Sequence, residues 1–199
     1  MKRVVVLDYG SGNLRSAQRA LERAGASVEV TADPNLAMDA DGLVVPGVGA
    51  FDACMGGLVA ARAPMIIGRR IAGERPVLGI CVGMQLLFDV GEEMGTWEGL
   101  GLIPGRVIKF RWADEPHRAD EKRLPVPHIG WNHVAPCRTH ALLRDVDPQG
   151  YAYFVHSFHA ADVDAGHVLC TTEYGYEFPS VVAHRNVSGI QFHPEKSQD

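Results

Sequence analysis

The run Pro76-Val77-Leu78-Gly79-Ile80-Cys81-Val82-Gly83-Met84-Gln85-Leu86-Leu87-Phe88 decides the fold, because its hydrophobic pattern changes across one tight turn. Val77 to Ile80 is an apolar run typical of a buried strand, whereas the apolar residues after Gly83 return at helical spacing. The glycines on both sides of Cys81 allow backbone angles and close approaches that a side chain would block. The run therefore predicts a strand, a sharp turn at Cys81 and a helix.

Cys81 takes the place at which hydrolases with a nucleophile elbow present a serine between strand and helix. A thiol at a helix N-terminus lies near unpaired amides and the positive end of the helix dipole, which favour the thiolate. A free cysteine is more often a small buried hydrophobic residue, and short motifs match by chance. The motif alone therefore leaves both interpretations open.

The composition describes an ordinary globular chain. Of its 199 residues, 46% are hydrophobic and 22% are charged, which is enough to bury a core in one domain. The formal net charge of -5 argues against nucleic acid or an anionic membrane as the general partner, because both bind clustered Lys and Arg side chains.

The four cysteines lack Cys-X-X-Cys spacing, so no zinc site or disulfide framework is predicted. Without a signal peptide or a membrane-length apolar run, we expect a cytoplasmic protein.

The first half of the chain alternates between strand-like and helix-like segments. Short apolar strands are predicted at Arg3–Leu7, Ser27–Val30 and Gly42–Pro46. Helical material from about Asp52 to Ala72 leads to the strand before Cys81. This β-α-β-α-β order predicts a parallel sheet with right-handed crossovers.

The second half has a different character. Strand-like pieces separated by Pro, Gly and charged residues predict an antiparallel addition, at Gly101–Phe110, Pro127–Val134, Tyr151–His159 and His167–Glu173. The polar stretch from Arg111 to Arg123 is predicted to be a solvated loop. The expected fold class is α/β, with a central mostly parallel sheet flanked by helices and an added antiparallel sheet, all in a single domain over residues 1–199.

The end of the chain offers a base and an orienting group for a cysteine nucleophile. We expect an apolar alternating strand, Gly189 to Phe192, to carry His193 outward. Pro194 then stiffens the turn so that Glu195 returns toward the same imidazole. Cys81, His193 and Glu195 are therefore the candidate catalytic residues, as nucleophile, base and orienting acid.

A glycine-rich turn follows the third predicted strand and offers the remaining catalytic part. The run Gly47-Val48-Gly49 places bare backbone amides at the carboxyl edge of the sheet, where open α/β folds put their sites. A plain turn and an oxyanion hole are equally good interpretations of this run by itself. Beside the Cys81 turn, Val48, Gly49 and the amide of Val82 become candidate oxyanion donors.

The motifs of this chain resemble those of the class I, or triad type, glutamine amidotransferases. The resemblance lies first in Gly79-Ile80-Cys81-Val82-Gly83-Met84-Gln85 and His193-Pro194-Glu195. Four further blocks resemble one branch of that class, the glutaminase subunits of imidazole glycerol phosphate synthases: Tyr9 to Ser16, Pro46 to Phe51, Pro127 to Asn132 and Tyr153 to Ser157.

The resemblance implies hydrolysis of L-glutamine to glutamate and ammonia. Cys81 would attack the side-chain amide, His193 would protonate the departing ammonia and then activate water, and Glu195 would orient His193. In this class the substrate is held by the glutamine of the motif, here Gln85, and by backbone near Gly49 and the segment His156, Ser157 and Phe158. No metal and no organic cofactor is implied.

The resemblance also implies a partner. Ammonia would pass to a separate (β/α)8-barrel cyclase subunit, forming a heterodimer that makes imidazole glycerol phosphate and an aminoimidazole carboxamide ribotide in histidine biosynthesis. Asn13, Trp131 and Lys196 match positions at or near the partner surface of this class. If Val48 blocks the oxyanion position until a peptide turns, hydrolysis without the partner should be slow.

The chain departs from the class in two places. Phe158 stands where these proteins usually have Tyr, so any role of that hydroxyl is lost or moved. Relatives continue beyond Ser197-Gln198-Asp199 through a carboxyl-terminal helix that covers the sheet beside the catalytic pair. Two interpretations stay open: the chain is truncated, in which case we expect His193 and Glu195 to be poorly held, or the tail is dispensable here.

Three alternatives stay open. A class I glutaminase serving vitamin B6, purine or aromatic synthesis would perform the same hydrolysis for a different acceptor. A non-catalytic relative would typically have lost Cys81 or His193, and both are present. A free-standing cysteine hydrolase of similar fold would carry the same nucleophile without using glutamine.

Overall fold

The computed structural model describes residues 1–114 and 124–197 of the chain. The strands, in chain order, are β1 Arg3–Leu7, β2 Ser27–Thr31, β3 Gly42–Gly47, β4 Val77–Cys81, β5 Phe88–Gly91, β6 Trp97–Glu98, β7 Ile103–Lys109, β8 His128–His133, β9 Ala135–Pro136, β10 Tyr151–His156, β11 Phe158–Ala161, β12 Val168–Glu173, β13 Glu177–His184 and β14 Val187–Ile190. The α-helices are α1 Leu14–Arg23, α2 Pro34–Asp39, α3 Phe51–Ala60, α4 Ala63–Ala72 and α5 Val82–Gln85.

The largest sheet has eight strands in the order β2-β1-β3-β4-β14-β13-β12-β9. Its first five strands are parallel, as the alternating first half of the sequence predicts, and the other three are antiparallel. The last strand of the chain, β14, pairs in parallel with β4, so that Ile190 lies beside Ile80. Cys81 and the segment after Ile190 therefore leave the sheet at the same edge.

Two smaller sheets complete the fold. β8 and β10 form a two-stranded antiparallel ribbon, and β11, β7, β5 and β6 form a four-stranded sheet. All of these pairings are antiparallel except that of β5 with β7. The expected α/β class, with a mostly parallel central sheet and an antiparallel addition, is confirmed, although part of the addition extends the main sheet.

The core lies around the parallel strands. Most apolar residues of β1, β3 and β4 are almost completely buried, and Val4 and Leu78 are partly buried, because helices cover the sheet. In α1, Ala17 is buried and Leu14 and Leu21 pack against the core, which is the apolar stripe expected of an amphipathic helix. A second, aromatic cluster forms around Phe110, Phe154 and Phe178.

Cys81 forms a sharp elbow between β4 and α5. Its backbone has φ 55° and ψ -114°, a left-handed conformation that is strained for a residue with a side chain. The surrounding glycines are required by contact: a Cβ on Gly83 would collide with the carbonyl oxygen of Val45, and one on Gly79 with that of Gly83. The predicted strand and turn at Cys81 are therefore observed.

Two predicted helices differ from the structure. The helix after Cys81 is a single turn, and Phe88 already belongs to β5. Met84, Leu86, Leu87 and Phe88 are all completely buried, so their pattern cannot distinguish a helix from a strand. The predicted helical stretch Asp52–Ala72 is two helices, which are separated at Arg62 by a left-handed backbone angle of φ 55°.

The second half also contains elements that the pattern did not predict. The predicted piece Tyr151–His159 is two strands that bend at Ser157, and Glu177–His184 forms a strand of the main sheet. Arg111–Asp114 forms a 3-10 turn rather than a loop. The rest of the predicted loop, residues 115–123, lies outside the described residues.

Among residues 1–114 and 124–197, no single helix is long and apolar enough to cross a membrane. The pair α3 and α4 reaches the necessary length and composition only when both helices are taken together, and they are bent by 80° at their junction.

We predict that Gly83→Ala destabilises the protein by about 3 kcal/mol, because the added methyl group must displace the backbone of β3. Gly56→Ala is the matched control, since a Cβ at that position in α3 meets no atom within 4 Å. That control should stabilise the protein by about 0.5–1 kcal/mol. Urea unfolding of both variants measures the two free energies, and equal values would contradict the close packing at the elbow.

Candidate active site

His193 and Glu195 form a buried pair. The Nδ1 atom of His193 lies 2.7 Å from Oε1 of Glu195, and the two side chains are only 4% and 2% exposed. The turn at Pro194 brings the carboxylate back to the imidazole, as expected from the sequence. The other carboxylate oxygen, Oε2 of Glu195, is buried without a hydrogen-bond partner among the described residues. Glu195 is thus placed to fix the orientation and tautomer of His193.

The segment that carries this pair is not a continuation of the strand. β14 ends at Ile190, and His193 is buried rather than carried outward. Its backbone amide donates to the carbonyl of Tyr153 in β10 at 2.9 Å. Ser197 closes the turn, because its Oγ donates to the His193 carbonyl at 2.8 Å and accepts from the Tyr153 amide at 3.0 Å. β10 and Ser197 therefore hold the pair in place.

The pKa of His193 is raised to about 9. Burial by itself lowers this pKa, but the hydrogen bonds of the imidazole with Cys81 and Glu195 and the negative charges of both groups outweigh burial. The imidazolium therefore forms a hydrogen-bonded pair with the side chain of Cys81. Such a pair combines a nucleophile with an acid that can protonate a leaving group.

Two buried glutamines adjoin Cys81. Nε2 of Gln191 lies 3.8 Å from Sγ of Cys81, and Oε1 of Gln191 accepts from Nε2 of Gln85 at 3.1 Å. Nε2 of Gln85 also donates to the carbonyl of Phe158 at 2.9 Å. The predicted substrate contact Gln85 is therefore connected both to the nucleophile and to the bend between β10 and β11.

One cavity of ≈ 320 Å³ brings most of the predicted site residues together. Those that line it are Asn13, Val48, Gly49, Cys81, Val82, Gln85, Ser157, Phe158, His193 and Lys196. Glu195 lies behind His193, and Trp131 lies outside the cavity lining. Residues that are up to 183 positions apart in the chain thus face one volume large enough for an amino-acid substrate.

The candidate oxyanion turn is held by a residue that sequence reasoning missed. The Val48 amide donates to Oγ of Ser11 at 3.2 Å, and Ser11 Oγ donates to the Val48 carbonyl at 2.8 Å. Gly49 has φ 95°, which favours glycine. In this arrangement the Val48 amide is occupied by Ser11 and does not serve an oxyanion.

Sequence reasoning also missed Gln191 and Glu93. Gln191 is completely buried two residues before His193, and a polar residue in an otherwise apolar run was the signal that could have found it. Glu93 lines the cavity and accepts from the Phe51 amide at 2.7 Å. No local pattern marks Glu93 or Ser11, because each contact joins segments about 40 residues apart.

The predicted partner residues are Asn13 and Lys196, which line the cavity, and Trp131, which lies on the β8–β10 ribbon. Trp131 is 51% exposed on the outer face of β8, and its ring centroid lies 6.1 Å from that of Tyr153 in β10. Nζ of Lys196 lies over the same Tyr153 ring at 5.7 Å. Ile129 and Tyr151 extend this exposed face of the ribbon. Apolar and aromatic side chains gathered in this way favour a protein contact.

Within the described residues, no group of three or more His, Cys, Asp or Glu side chains is arranged to hold a metal ion. The four cysteines are all free, and only Cys137 is exposed.

We predict that His193 keeps its proton to about pH 9 and that Glu195→Gln lowers this pKa, because burial then opposes the charge with less compensation. Because the pKa of His193 in the folded chain lies above the usual 6.5, protonation of His193 stabilises the fold. This stabilisation is complete below about pH 6.5 and is lost as the pH rises to about 9. NMR titration of the His193 ring gives this pKa in the wild type and in Glu195→Gln. Glu98→Gln, at an exposed carboxylate, is the control and should leave the titration unchanged.

The family comparison agrees with this geometry. The sequence profile of the family described as glutamine amidotransferase class-I matches residues 5–199. The imidazole glycerol phosphate synthase subunit HisH of Salinibacter ruber is 51% identical over 193 residues, covering 97% of this chain and 87% of that protein. The protein of the same name from Nocardia farcinica is 50% identical over 206 residues, covering 100% of this chain and 92% of that protein.

Solved structures agree at the level of the fold. A structure described as a glutamine amidotransferase superposes with a TM-score of 0.73 at 18% sequence identity, covering 98% of this chain and 92% of that one. PurLQS from Thermotoga maritima gives a TM-score of 0.69 at 21% identity, covering 98% and 89%. At these identities the similarity supports the architecture alone.

Proposed function

The chain belongs to the class-I glutamine amidotransferase family, and from that premise we propose how its residues work. It is a glutamine amidotransferase, the glutaminase subunit of an imidazole glycerol phosphate synthase in histidine biosynthesis. The observation that carries the mechanism is one cavity that joins the Cys81 elbow to the buried His193–Glu195 pair.

In the proposed mechanism, the thiolate of Cys81 attacks the side-chain carboxamide carbon of glutamine. His193 gives its proton to the departing ammonia, which leaves a thioester on Cys81. The neutral imidazole then takes a proton from water, and the resulting hydroxide attacks the thioester carbon and breaks its bond to sulfur. Cys81 leaves as the thiolate, His193 keeps the proton, and the product carboxylic acid loses its own proton to solvent as glutamate. Glu195 keeps Nε2 of His193 directed at the reacting groups by holding Nδ1 at 2.7 Å.

The substrate is proposed to lie between two segments that face each other across the cavity. Gly49 lies on one side, and Gln85, Ser157 and Phe158 lie on the other. Phe158 has no hydroxyl, so its contribution to binding comes from its ring and from the position of its backbone. The carbonyl already accepts a hydrogen bond from Gln85, which fixes its direction.

Ammonia is proposed to pass to a (β/α)8-barrel cyclase subunit in a cytoplasmic heterodimer. The exposed face of the β8–β10 ribbon, with Trp131 and Tyr153, would be the docking surface, and Asn13 and Lys196 border the cavity beside it. This placement puts the site of ammonia release next to the partner. An aromatic surface beside a catalytic cavity is well suited to keeping ammonia from bulk water.

Glutaminase activity is proposed to depend on the Val48 peptide. Its amide is bound to Ser11, so an oxyanion at Cys81 lacks this donor until the peptide turns. Gly49 has a φ of 95°, which glycine adopts without steric cost, so the peptide can turn there without a side-chain penalty. Partner docking would then shift the population toward the turned peptide.

The three alternative functions differ in how well they agree with these observations. The relatives named as imidazole glycerol phosphate synthase subunits match along nearly the whole chain, whereas the solved PurLQS structure shares only the fold. A non-catalytic relative has no need for the buried pair His193 and Glu195. A free-standing cysteine hydrolase would show labelling of Cys81 by a glutamine-analogue electrophile that glutamine fails to block.

We predict slow glutamate release by the isolated chain and strong stimulation by the cyclase subunit with its nucleotide ligand. Cys81→Ala should lower the stimulated rate by at least about a thousandfold, because the nucleophile is removed. The measurement is glutamate formed from L-glutamine in each mixture. Brisk hydrolysis by the isolated chain would reject the closed oxyanion site, and no hydrolysis in any mixture would reject the glutaminase.

We also predict that Ser11→Ala raises partner-independent hydrolysis by about fivefold to tenfold, because it removes both hydrogen bonds that hold the Val48 peptide. Ser16→Ala, in α1, is the control and should have no such effect. Steady-state rates of the isolated variants test this, and an unchanged rate for Ser11→Ala would mean that Ser11 does not restrain the peptide.

A further inference from the structure

The inner face of the β8–β10 ribbon carries two buried histidines that the mechanism does not use. His128 and His156 are opposite each other in the antiparallel register and are 3% and 6% exposed. Nδ1 of His128 lies 3.2 Å from Nε2 of His156. Trp131, on the opposite face of the same ribbon, is exposed. The ribbon thus has an aromatic outer surface and a polar, buried inner one.

The two histidines belong to a chain of four hydrogen-bonding groups. Nδ2 of Asn132 lies 3.3 Å from Nε2 of His128, at one end of the chain. Nδ1 of His156 lies 2.8 Å from the carbonyl oxygen of Phe158, at the other end. Gly130 lies between His128 and Asn132 in β8, and its φ of 135° suits a glycine. The chain therefore runs from β8 to the lining of the glutamine cavity.

The chemistry of the two ends fixes the direction of every hydrogen bond. The Phe158 carbonyl can only accept, so the proton of a neutral His156 is on Nδ1. Nε2 of His156 then accepts, and Nδ1 of His128 must donate to it. Nε2 of His128 accepts in turn from Asn132, whose Nδ2 also donates to the carbonyl of Glu173 at 2.8 Å.

The surroundings keep this arrangement neutral and rigid. Burial lowers the pKa of His128 to about 4. Burial also lowers the pKa of His156 to about 3, helped by the nearby imidazoles and opposed by the bond to Phe158. The ring of His128 stacks on Tyr174 at 3.9 Å and on Phe154 at 4.9 Å, which prevents it from turning out of line.

We propose that Asn132, His128 and His156 form a positioning relay that holds the Phe158 carbonyl in place, and with it the bend between β10 and β11 that lines the glutamine site. This inference rests on the proposed function and names what positions the substrate-binding bend. The Phe158 carbonyl accepts from His156 and from Gln85 together, so its direction is fixed from two sides. Without the relay, the Phe158 carbonyl would keep only its hydrogen bond from Gln85, so its direction would be less fixed and glutamine would be bound less tightly.

The decisive variant is Asn132→Asp, which keeps the shape of the side chain but makes it an acceptor only. Nε2 of His128 must then donate, and the whole relay reverses, so that His156 donates from Nε2 and loses its bond to Phe158. We expect KM for glutamine to rise about tenfold in the complex with the cyclase, while kcat changes less than about twofold. Asn186→Asp is the matched control, because Asn186 also donates to two backbone carbonyls, at 3.3 and 2.7 Å, but lies outside the relay.

Nitrogen-15 NMR of the histidine rings gives a second readout that does not depend on the kinetic constants. In the wild-type chain, His128 and His156 should both carry their proton on Nδ1 near neutral pH, and in Asn132→Asp both should carry it on Nε2. Protonated Nε2 atoms in the wild type would overturn the relay. An unchanged KM in Asn132→Asp, or an equal rise in Asn186→Asp, would overturn its positioning role.

Failure of the relay and failure of the proposed function are separable. If the wild-type complex releases no glutamate, the function is rejected and the positioning role falls with it, whatever the tautomers. If the wild-type complex releases glutamate but the variants behave alike, only the relay is rejected.

Discussion

The left-handed backbone at Cys81 is the constraint on which the rest of the site depends. A residue with a side chain pays about 1–3 kcal/mol for such a conformation, so the surroundings must impose it. They do so through contact: the Cβ positions of Gly79 and Gly83 are already filled by backbone atoms of their neighbours, and one on Gly47 would lie 2.6 Å from the Gly83 amide. The strand and the helical turn can therefore approach only in this way, and the sulfur is directed into the cavity.

The second half of the triad depends on a pairing that local sequence does not specify. β14 is the last strand of the chain, yet it inserts beside β4 in the middle of the main sheet. This pairing brings the segment after Ile190 to the same edge as Cys81, and β10 then fixes His193 through the Tyr153 carbonyl. The active site is thus assembled where the parallel and antiparallel parts of the sheet meet.

The sequence predicted the features that depend on local chemistry. Glycines around Cys81 indicated the elbow, apolar β-branched runs indicated the parallel strands, and Pro194 indicated the return of Glu195. Prediction from the sequence failed where residues are buried on every side and show no periodicity, as in Leu86 to Phe88. It also failed where contacts join distant segments. Ser11 and Glu93 belong to the second kind, since nothing in their own neighbourhoods marks the backbone groups that they bind.

Two histidines of one site show how the environment gives identical side chains different roles. His193 faces a carboxylate and a thiol, so its pKa is raised to about 9 despite burial. His156, in the same cavity, faces a carbonyl and another imidazole, so burial prevails and its pKa falls to about 3. The charge on His193 itself disfavours a second positive charge on His156. The positively charged His193 is therefore compatible with the neutral, directional relay that ends at His156. The charge on His193 helps to keep His156 neutral.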